Sequence, residues 1–252
     1  MESIKKQLSI EFKLLFRQPL YLVFSLIMPA MSLLMFGSMY QNMSYDGIDF
    51  FSMYIPSFAM IVLFAGAVYN TGNQIVADKE QKIYKRIMVT PIKLQRFIGV
   101  ILFKNFVVSV SGFIILLIIS NVFFRVQIGL DKLLFFLVYL LFILFSLSIG
   151  IGLAILSNRI NVYSTVMMIL FMPMIIFSDA TIPLAVFPEL IQKLAFLNPL
   201  YHGNVVLRFF WSVETRAYYN TQLLPSLLFL LGVLILIYII VFLNRKKLYE
   251  DY

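Results

Sequence analysis

The sequence of 252 residues contains no cysteine and a single histidine, His202. Without thiols, the chain can form neither disulfide bonds nor thiolate metal sites nor a cysteine-linked haem. His202 has no second histidine with which to share a metal ion, and we interpret it as a polar residue at a membrane interface. The sequence also lacks a GxxxxGK[ST] phosphate-binding loop, an HExxH metal motif and a GxSxG nucleophile motif. We therefore predict no catalytic, cofactor-binding or metal-binding residue in this chain.

Charged residues are also scarce, at 13% of the chain against about a quarter in soluble domains. Hydrophobic residues make up 62%, and the mean hydropathy is +0.94. A helix of about 20 apolar residues crosses the hydrocarbon core of a bilayer. Barrel strands would instead alternate over about ten residues, which these continuous apolar runs do not. Six runs between charges are long enough to span, and they cover residues 18–45, 50–77, 105–124, 133–158, 160–178 and 217–244.

The lysines and arginines indicate how these spans are oriented. If both termini are cytoplasmic, 15 of the 20 basic residues lie on the inner side, as the positive-inside rule requires. The net charge of +8 needs only an anionic inner leaflet as its counterpart, so no nucleic acid partner is implied. The sequence thus predicts an all-α membrane protein with six transmembrane helices, forming one transmembrane domain over residues 1–252.

Two segments outside the spans have apolar residues at helical spacing. Residues 1–17 place Leu8, Phe12 and Leu15 near one face, which predicts an amphipathic helix lying in the membrane plane. Residues 180–210 are too polar to span and too apolar for a free loop. We expect them to form two short helices, broken at Asn198-Pro199, that re-enter the outer leaflet. Arg208, Trp211 and Tyr218 would then lie at the depth of the lipid headgroups.

The fourth span carries small residues at intervals of four. Ser146, Gly150 and Ala154 share one face, and small residues let a neighbouring helix approach closely. We favour helix packing over a substrate path for this face. The neighbour could belong to the same chain or to a second one.

The most charged stretch lies between the second and third spans. Residues 78–89 have helical spacing, and Thr90-Pro91 ends the pattern because the residue before a proline disfavours the helical conformation. One interpretation is a solvated loop helix held at anionic lipid. The other is a docking element that inserts into a groove on a cytoplasmic partner, and the residues alone do not separate the two.

A family resemblance favours the docking interpretation. The charged run followed by KRIMVTP and LQRFIGVILFKN resembles the second cytoplasmic segment of the ABC type-2 permease family, which often reads E-x-E-x-G-T-x-E-R-L-L-V-T-P. FRQPLYLVFSLIMP, residues 16–29, resembles that family's entry to its first span. LNPLYHGNVVLR, residues 197–208, resembles its outer segment before the last span. The sequence departs from the pattern at Lys82 and Ile83, where the family often has Gly-Thr.

The resemblance implies one membrane subunit of an ATP-driven exporter in a bacterial cell membrane. Its expected partners are two copies of a cytoplasmic ABC ATPase, a second permease chain and membrane lipid, with ATP and magnesium bound on the ATPase. Residues 1–17 would be a connecting helix beside the coupling helix, residues 78–89. The residues expected to couple to the ATPase are Asp78, Lys79, Glu80, Lys82, Ile83, Tyr84, Lys85, Arg86 and Ile87. The residues expected to matter in the outer segment are Pro183, Pro188, Asn198, Pro199, Tyr201 and Arg208.

The cargo is less defined than the family. The 26 phenylalanines and 13 methionines suit a drug, an antimicrobial peptide or a lipid-like amphipathic molecule, although lipid-facing helices need such residues anyway. Export of polysaccharide or lipid-linked glycan is the alternative within the same fold. An intramembrane lipid-modifying enzyme and an ion-coupled carrier are the alternatives of other classes. The predicted spans contain no deep ionisable groups, which argues against both of them.

Overall fold

The computed structural model describes residues 2–17, 19–45, 47–90 and 93–243, and most of them are helical. A two-stranded hairpin, β1 (Ser44–Tyr45) and β2 (Ile48–Asp49), joins the helix that ends at Tyr40 to the helix that begins at Phe50. Val23–Ile27 and Phe64–Asn70, each in the middle of a longer helix, are wound as π-helix, a form that often marks functional or irregular positions. The helices are α1 (Glu2–Phe16), α2 (Pro19–Leu22, Val23–Ile27 and Met28–Tyr40), α3 (Phe50–Leu63, Phe64–Asn70 and Thr71–Glu80), α4 (Ile83–Met88), α5 (Leu94–Phe124), α6 (Leu133–Ile155), α7 (Ile160–Ile176), α8 (Glu189–Ala195), α9 (Pro199–Trp211) and α10 (Val213–Leu243).

Four of the six predicted spans coincide with helices that are long and apolar enough to cross a bilayer: α3, α5, α6 with the turn before it, and α10. The other two predicted spans coincide with shorter apolar helices, Ser25–Tyr40 within α2 and Ile160–Ile176. Two of these helices begin before the predicted spans, because helical structure continues through charged residues that an apolar window excludes. Helix α5 begins at Leu94 instead of residue 105, and α10 begins at Val213 instead of residue 217. The first residue of the first predicted span, residue 18, and the last residue of the last one, residue 244, lie outside the described residues. So do residues 91 and 245–252.

Helix α3 forms the centre of the bundle. Its most apolar window is 89% buried, against 39% for α5 and 17% for α10. It packs against α2, α5, α6 and α9, and Ile55, Phe58 and Leu63 are fully enclosed. A helix that is apolar on every side is expected to be surrounded in this way.

The outer helices have exposed faces made of large aliphatic residues. Leu228, Leu231 and Ile235 on α10 and Leu137 and Leu141 on α6 are all more than half exposed. Such faces would be unstable in water, but they match the hydrocarbon interior of a bilayer. The exposed surface of the bundle is therefore that of a membrane protein.

The small-residue face of α6 contacts α3 within the same chain. Ser146, Gly150 and Ala154 are all buried. A Cβ atom added at Gly150 would lie 2.8 Å from the carbonyl oxygens of both Ala67 and Val68. Glycine is thus required at this position because the α3 backbone occupies the space of a side chain.

We expect Gly150→Ala to destabilise the protein by about 1–3 kcal/mol, the usual cost of overpacking a tight contact. The control is Gly232→Ala on α10, where an added Cβ meets nothing within 4 Å. Alanine in an open helical position is expected to stabilise by about 0.5–1 kcal/mol. Thermal unfolding of both variants in the same detergent should give shifts of opposite sign. Equal shifts would contradict the packing role of Gly150.

Candidate functional site

The charged segment between the second and third predicted spans forms two helices joined by a tight turn, so the single helix predicted over residues 78–89 was wrong. Asp78, Lys79 and Glu80 are the last residues of α3. Lys82 adopts a left-handed conformation with φ of 56°, and α4 starts at Ile83. A left-handed conformation costs a non-glycine residue about 1–2 kcal/mol. The turn thus falls at Lys82, where the resembling family often has glycine.

Tyr84 holds the short helix α4 on the bundle. Its side chain is buried, its hydroxyl donates to the Ile75 carbonyl oxygen at 3.3 Å, and its ring meets the Phe97 ring edge-on at 6.2 Å. Ile83 and Ile87 are half-buried beside it. One face of α4 is thereby fixed against α3 and α5.

The opposite face of α4 and its end project away from the bundle. Lys82, Lys85 and Arg86 are exposed, and so are Met88 and Val89 directly after them. We call these five residues the α4 surface. It combines basic and apolar side chains on a rigid support, which is a composition suited to a protein partner with a partly acidic groove.

Lys79 and Glu80 do not belong to the α4 surface. The Lys79 ammonium donates to Asn158 Oδ1 and to the Ile155 carbonyl oxygen. Glu80 Oε2 accepts from the backbone N–H of Ile160 at 2.9 Å, at the first residue of α7. A carboxylate at a helix N-terminus is stabilised by the helix dipole. These two side chains therefore tie the end of α3 to the connection between α6 and α7.

A buried polar cluster links α1, α3 and α5 near the same end of the bundle. Lys104 Nζ lies 3.1 Å from Glu11 Oε2, and both side chains are at least 94% buried. Gln74 Nε2 donates to Glu11 Oε2 at 2.9 Å, while its own Oε1 accepts from Lys104. Asp78 Oδ2, one helical turn further along α3, is buried and has no hydrogen-bond partner among the described residues. We call Glu11, Gln74, Asp78 and Lys104 the inner cluster.

The inner cluster buries ionisable side chains of α1, α3 and α5 next to one another, just outside the predicted spans. Lys104 was placed just before the third span, but it lies ten residues inside α5. Next to it, Asn105 Nδ2 donates to Thr71 Oγ1 at 2.8 Å and Asn105 Oδ1 accepts from the Tyr21 hydroxyl at 2.8 Å. Polar contacts thus continue from α1 through α3 and α5 to α2.

A second polar cluster, at the opposite end of the bundle, is centred on Arg208 of α9. Arg208 is 1% exposed, and Trp211 is buried in the chain as well. Arg208 Nε donates to the Met53 carbonyl oxygen at 3.0 Å and to Ser57 Oγ at 2.9 Å. Its Nη1 donates to the Tyr219 hydroxyl at 2.8 Å and to Asp179 Oδ2, and its Nη2 donates to the Asp179 carbonyl oxygen.

We call Arg208 and its partners Met53, Ser57, Asp179 and Tyr219 the outer cluster. It joins four parts of the chain: α3, the segment after α7, α9 and α10. Burial alone lowers the pKa of Arg208, but the neighbouring Tyr219 and Asp179 raise it well above its usual range, so the guanidinium stays charged. Asp179 itself has a positive φ of 63°, a conformation that non-glycine residues adopt at a cost. A cavity of about 220 Å³ adjoins the cluster and is lined by Asp179, Tyr201 and Arg208 among others.

The remaining residues predicted for the outer segment support its local structure. Pro188 precedes α8, and its carbonyl oxygen accepts from Ile191 and Gln192. Asn198 caps α9 by accepting from the N–H of Leu200 at 3.0 Å, and Pro199 is the first residue of that helix. The break expected at Asn198-Pro199 thus lies between α8 and α9. Pro183 precedes a 3₁₀ turn, Leu184–Val186.

Tyr201 and His202 follow this cap and are held inside the bundle. The Tyr201 hydroxyl donates to Gln222 Oε1 at 3.1 Å, and burial raises its pKa to about 12. His202 Nδ1 pairs with Ser226 Oγ at 3.0 Å and Nε2 with the Phe196 carbonyl oxygen at 2.9 Å. Burial lowers the pKa of His202, which favours the neutral ring. His202 is thus a hydrogen-bonded residue of the bundle interior.

The sequence is similar to known transport proteins. Over residues 3–211 the sequence matches the family described as ABC-2 type transporter. It is also 28% identical over 221 residues to the Cyanophora paradoxa protein ycf38, whose name places it among transport permeases. That alignment covers 82% of this chain and 72% of the relative. Among the described residues, no group of three or more histidine, aspartate or glutamate side chains could hold a metal ion.

Proposed function

The chain belongs to the ABC-2 type transporter family, and from that premise we propose that it is the transmembrane permease of an ATP-driven exporter whose ATPase is a separate chain. The observation that supports this most directly is the α4 surface. Its residues project from the bundle on a helix that Tyr84 holds in place. A movement of a bound ATPase would therefore pass into α3 and α5 and not be absorbed by a flexible loop.

We propose six membrane spans with both termini in the cytoplasm. Four are the long helices α3, α5, α6 and α10. The remaining two are α2 and α7, which are shorter but apolar. Helix α1 would lie in the membrane plane on the cytoplasmic side, because its Leu14 and Phe16 are exposed while Glu11 and Leu15 pack against the bundle. Helices α8 and α9 would re-enter the outer leaflet.

We propose that the working assembly contains two ATPase copies and a second permease chain, identical or related. ATP and magnesium would bind on the ATPases, and this chain would contribute no catalytic residue. ATP binding would bring the ATPases together and shift the two permeases between inward-open and outward-open states. The proposed location is a bacterial cell membrane.

The proposed cargo is an amphipathic molecule such as a drug, an antimicrobial peptide or a lipid, with polysaccharide or lipid-linked glycan as the alternative. A specific observation favours a second class of function. The buried Glu11–Lys104 pair is of the kind that coupled carriers use. An ion-coupled carrier would continue to transport after ATP depletion as long as an ion gradient remained, whereas an ATP-driven permease would stop. An intramembrane lipid-modifying enzyme would instead convert a lipid substrate as the purified chain alone.

We expect the double variant Lys85→Glu/Arg86→Glu to weaken ATPase binding at least tenfold, about 1.4 kcal/mol. The reason is that both side chains are exposed on the α4 surface, where reversed charge would repel an acidic groove. The measurement is co-purification of the ATPase with the tagged chain from its native cells, with mass spectrometry to identify and quantify it.

The matched control is Lys193→Glu, an exposed charge on α8 at the other end of the bundle. It should leave ATPase recovery unchanged. Normal recovery with the double variant would show that the α4 surface is only a solvated loop. Recovery of the wild-type chain without an ATPase, across several mild detergents, would contradict the proposed function itself.

A further inference from the structure

A cavity of about 480 Å³ lies inside the bundle between α3, α6, α7 and α10, and the outer segment closes one end of it. This volume is within the range of pockets that hold small molecules. On α3 its wall runs from Met60 to Val68, which at 1.5 Å per residue is about 12 Å along the helix. The cavity is therefore long enough for about half of an extended acyl chain.

The lining is almost entirely aliphatic, aromatic or methionine side chain. One of its polar members, Asn198, is hydrogen-bonded through both side-chain atoms: Nδ2 donates to the Met174 carbonyl oxygen at 2.7 Å and Oδ1 accepts from the Leu200 N–H. The other, Ser146, is 1% exposed and offers at most one hydroxyl. Water needs two to four polar partners to occupy a cavity, so this one excludes water and favours hydrocarbon.

The cavity opens at the exposed apolar surface of the bundle. Leu170, Leu194 and Leu197 line it, and each is more than half exposed. Beside them on α7, Ile169 and Met172 are exposed as well. Since α7 and α10 both border the cavity without packing closely on each other, the surrounding medium can enter between helices at the depth of the hydrocarbon core.

We propose that this cavity binds one acyl chain of a membrane phospholipid. The chain would enter beside Leu170 and extend between α6 and α10 past Val233. The headgroup would stay outside, because the lining offers at most the Ser146 hydroxyl in place of its hydration. This site requires only that the bundle lies in a bilayer, and it does not depend on the ATPase or on the cargo.

The test is photolabelling of the purified full chain, reconstituted with phosphatidylcholine that carries a diazirine near the end of one acyl chain. Mapping by mass spectrometry should place labels on the segments around Met167–Met174 and Val233–Ile237, and excess unlabelled phospholipid should compete them away. Val233→Trp should reduce this labelling at least fivefold by filling the cavity. Leu231→Trp, two residues away on the exposed face of the same helix, should not.

Val233→Phe is the second filling variant, should the tryptophan prevent folding, and it should reduce labelling to a lesser extent. Labels confined to exposed helix faces, or equal labelling of the Val233 and Leu231 variants, would overturn the proposal. A photoreactive single-chain amphiphile gives a further comparison. Saturable labelling of the cavity by that amphiphile, with none by the phospholipid, would also overturn it and assign the cavity to an amphipathic cargo.

Discussion

Arg208→Met is expected to cost at least about 3 kcal/mol of stability, the amount usually lost when one partner of a buried charge pair is removed. The substitution leaves the Asp179 carboxylate without its counter-ion. It also removes the donors to the Met53 carbonyl oxygen, Ser57 and Tyr219. For a domain of this size, the loss corresponds to a fall in melting temperature of about 10 °C. Thermal unfolding in detergent, followed by size-exclusion chromatography, measures it.

Two further variants separate the charge from the geometry of the guanidinium. Arg208→Lys keeps the charge but has no planar fork, so it should recover only part of the lost stability. Adding Asp179→Asn to Arg208→Met should also recover part of it, because the second substitution removes the orphaned carboxylate. The matched control is Arg159→Met, which removes an exposed arginine and should change stability by less than about 0.5 kcal/mol. A stable, monodisperse Arg208→Met variant would show that the outer cluster is not required for the fold.

The burial of Arg208 could not be predicted from the sequence of the outer segment. An arginine before a span reads as a headgroup anchor, and nothing near it in sequence indicates burial. Its partners Met53 and Ser57 lie 155 and 151 residues away. Only the packing of α9 against α3 brings them together. Local periodicity could therefore predict the two short helices and the break at Asn198-Pro199. It could not predict that Arg208 of α9 is buried in the interior of the bundle.

The charged segment around Lys82 was also predicted only in part. Charge spacing correctly indicated helical structure between the second and third spans, but residues 78–89 contain no glycine or proline to mark a break. The break falls at Lys82, in a conformation that glycine would adopt more easily. The family pattern, which often has glycine at this position, was the only signal available. Because the helix changes direction at this turn, Lys85 and Arg86 are exposed on α4. Lys79 and Glu80, before the turn, bind the α6–α7 connection instead.

The six apolar runs were easier to recognise, because the bilayer itself imposes them. A span needs about 20 apolar residues whatever its neighbours are. The charged residues at the ends of the helices were assigned to loops for the same reason. Lys104 was excluded from a span by its charge, yet α5 contains it and Glu11 neutralises it. A hydropathy window cannot detect this kind of pairing, because the partner lies 93 residues away.

The inner cluster gives the second large prediction. Lys104→Met should cost about 3–5 kcal/mol, since it leaves Glu11 buried without its counter-ion and with Asp78 as a nearby acidic group. If the uncompensated charge causes the loss, Lys104→Met/Glu11→Leu should recover at least half of it, because an apolar pair of similar volume needs no counter-ion. A double-mutant cycle on the melting temperature measures the coupling between the two side chains.

The direction in which Asp78→Asn changes stability distinguishes this cluster from an ordinary salt bridge, where removing a carboxylate destabilises the protein. Asp78 interacts electrostatically with both Glu11 and Lys104, and its Oδ2 has no hydrogen-bond partner among the described residues, so removing its charge should be neutral or stabilising. The control is Lys93→Met, an exposed lysine directly before α5, which should change little. Additive losses in the cycle would contradict a coupled pair, and α1 would then be held by its apolar contacts, such as that of Leu15. With strong coupling, α1, α3 and α5 move together, and any displacement of α4 by a partner reaches all three.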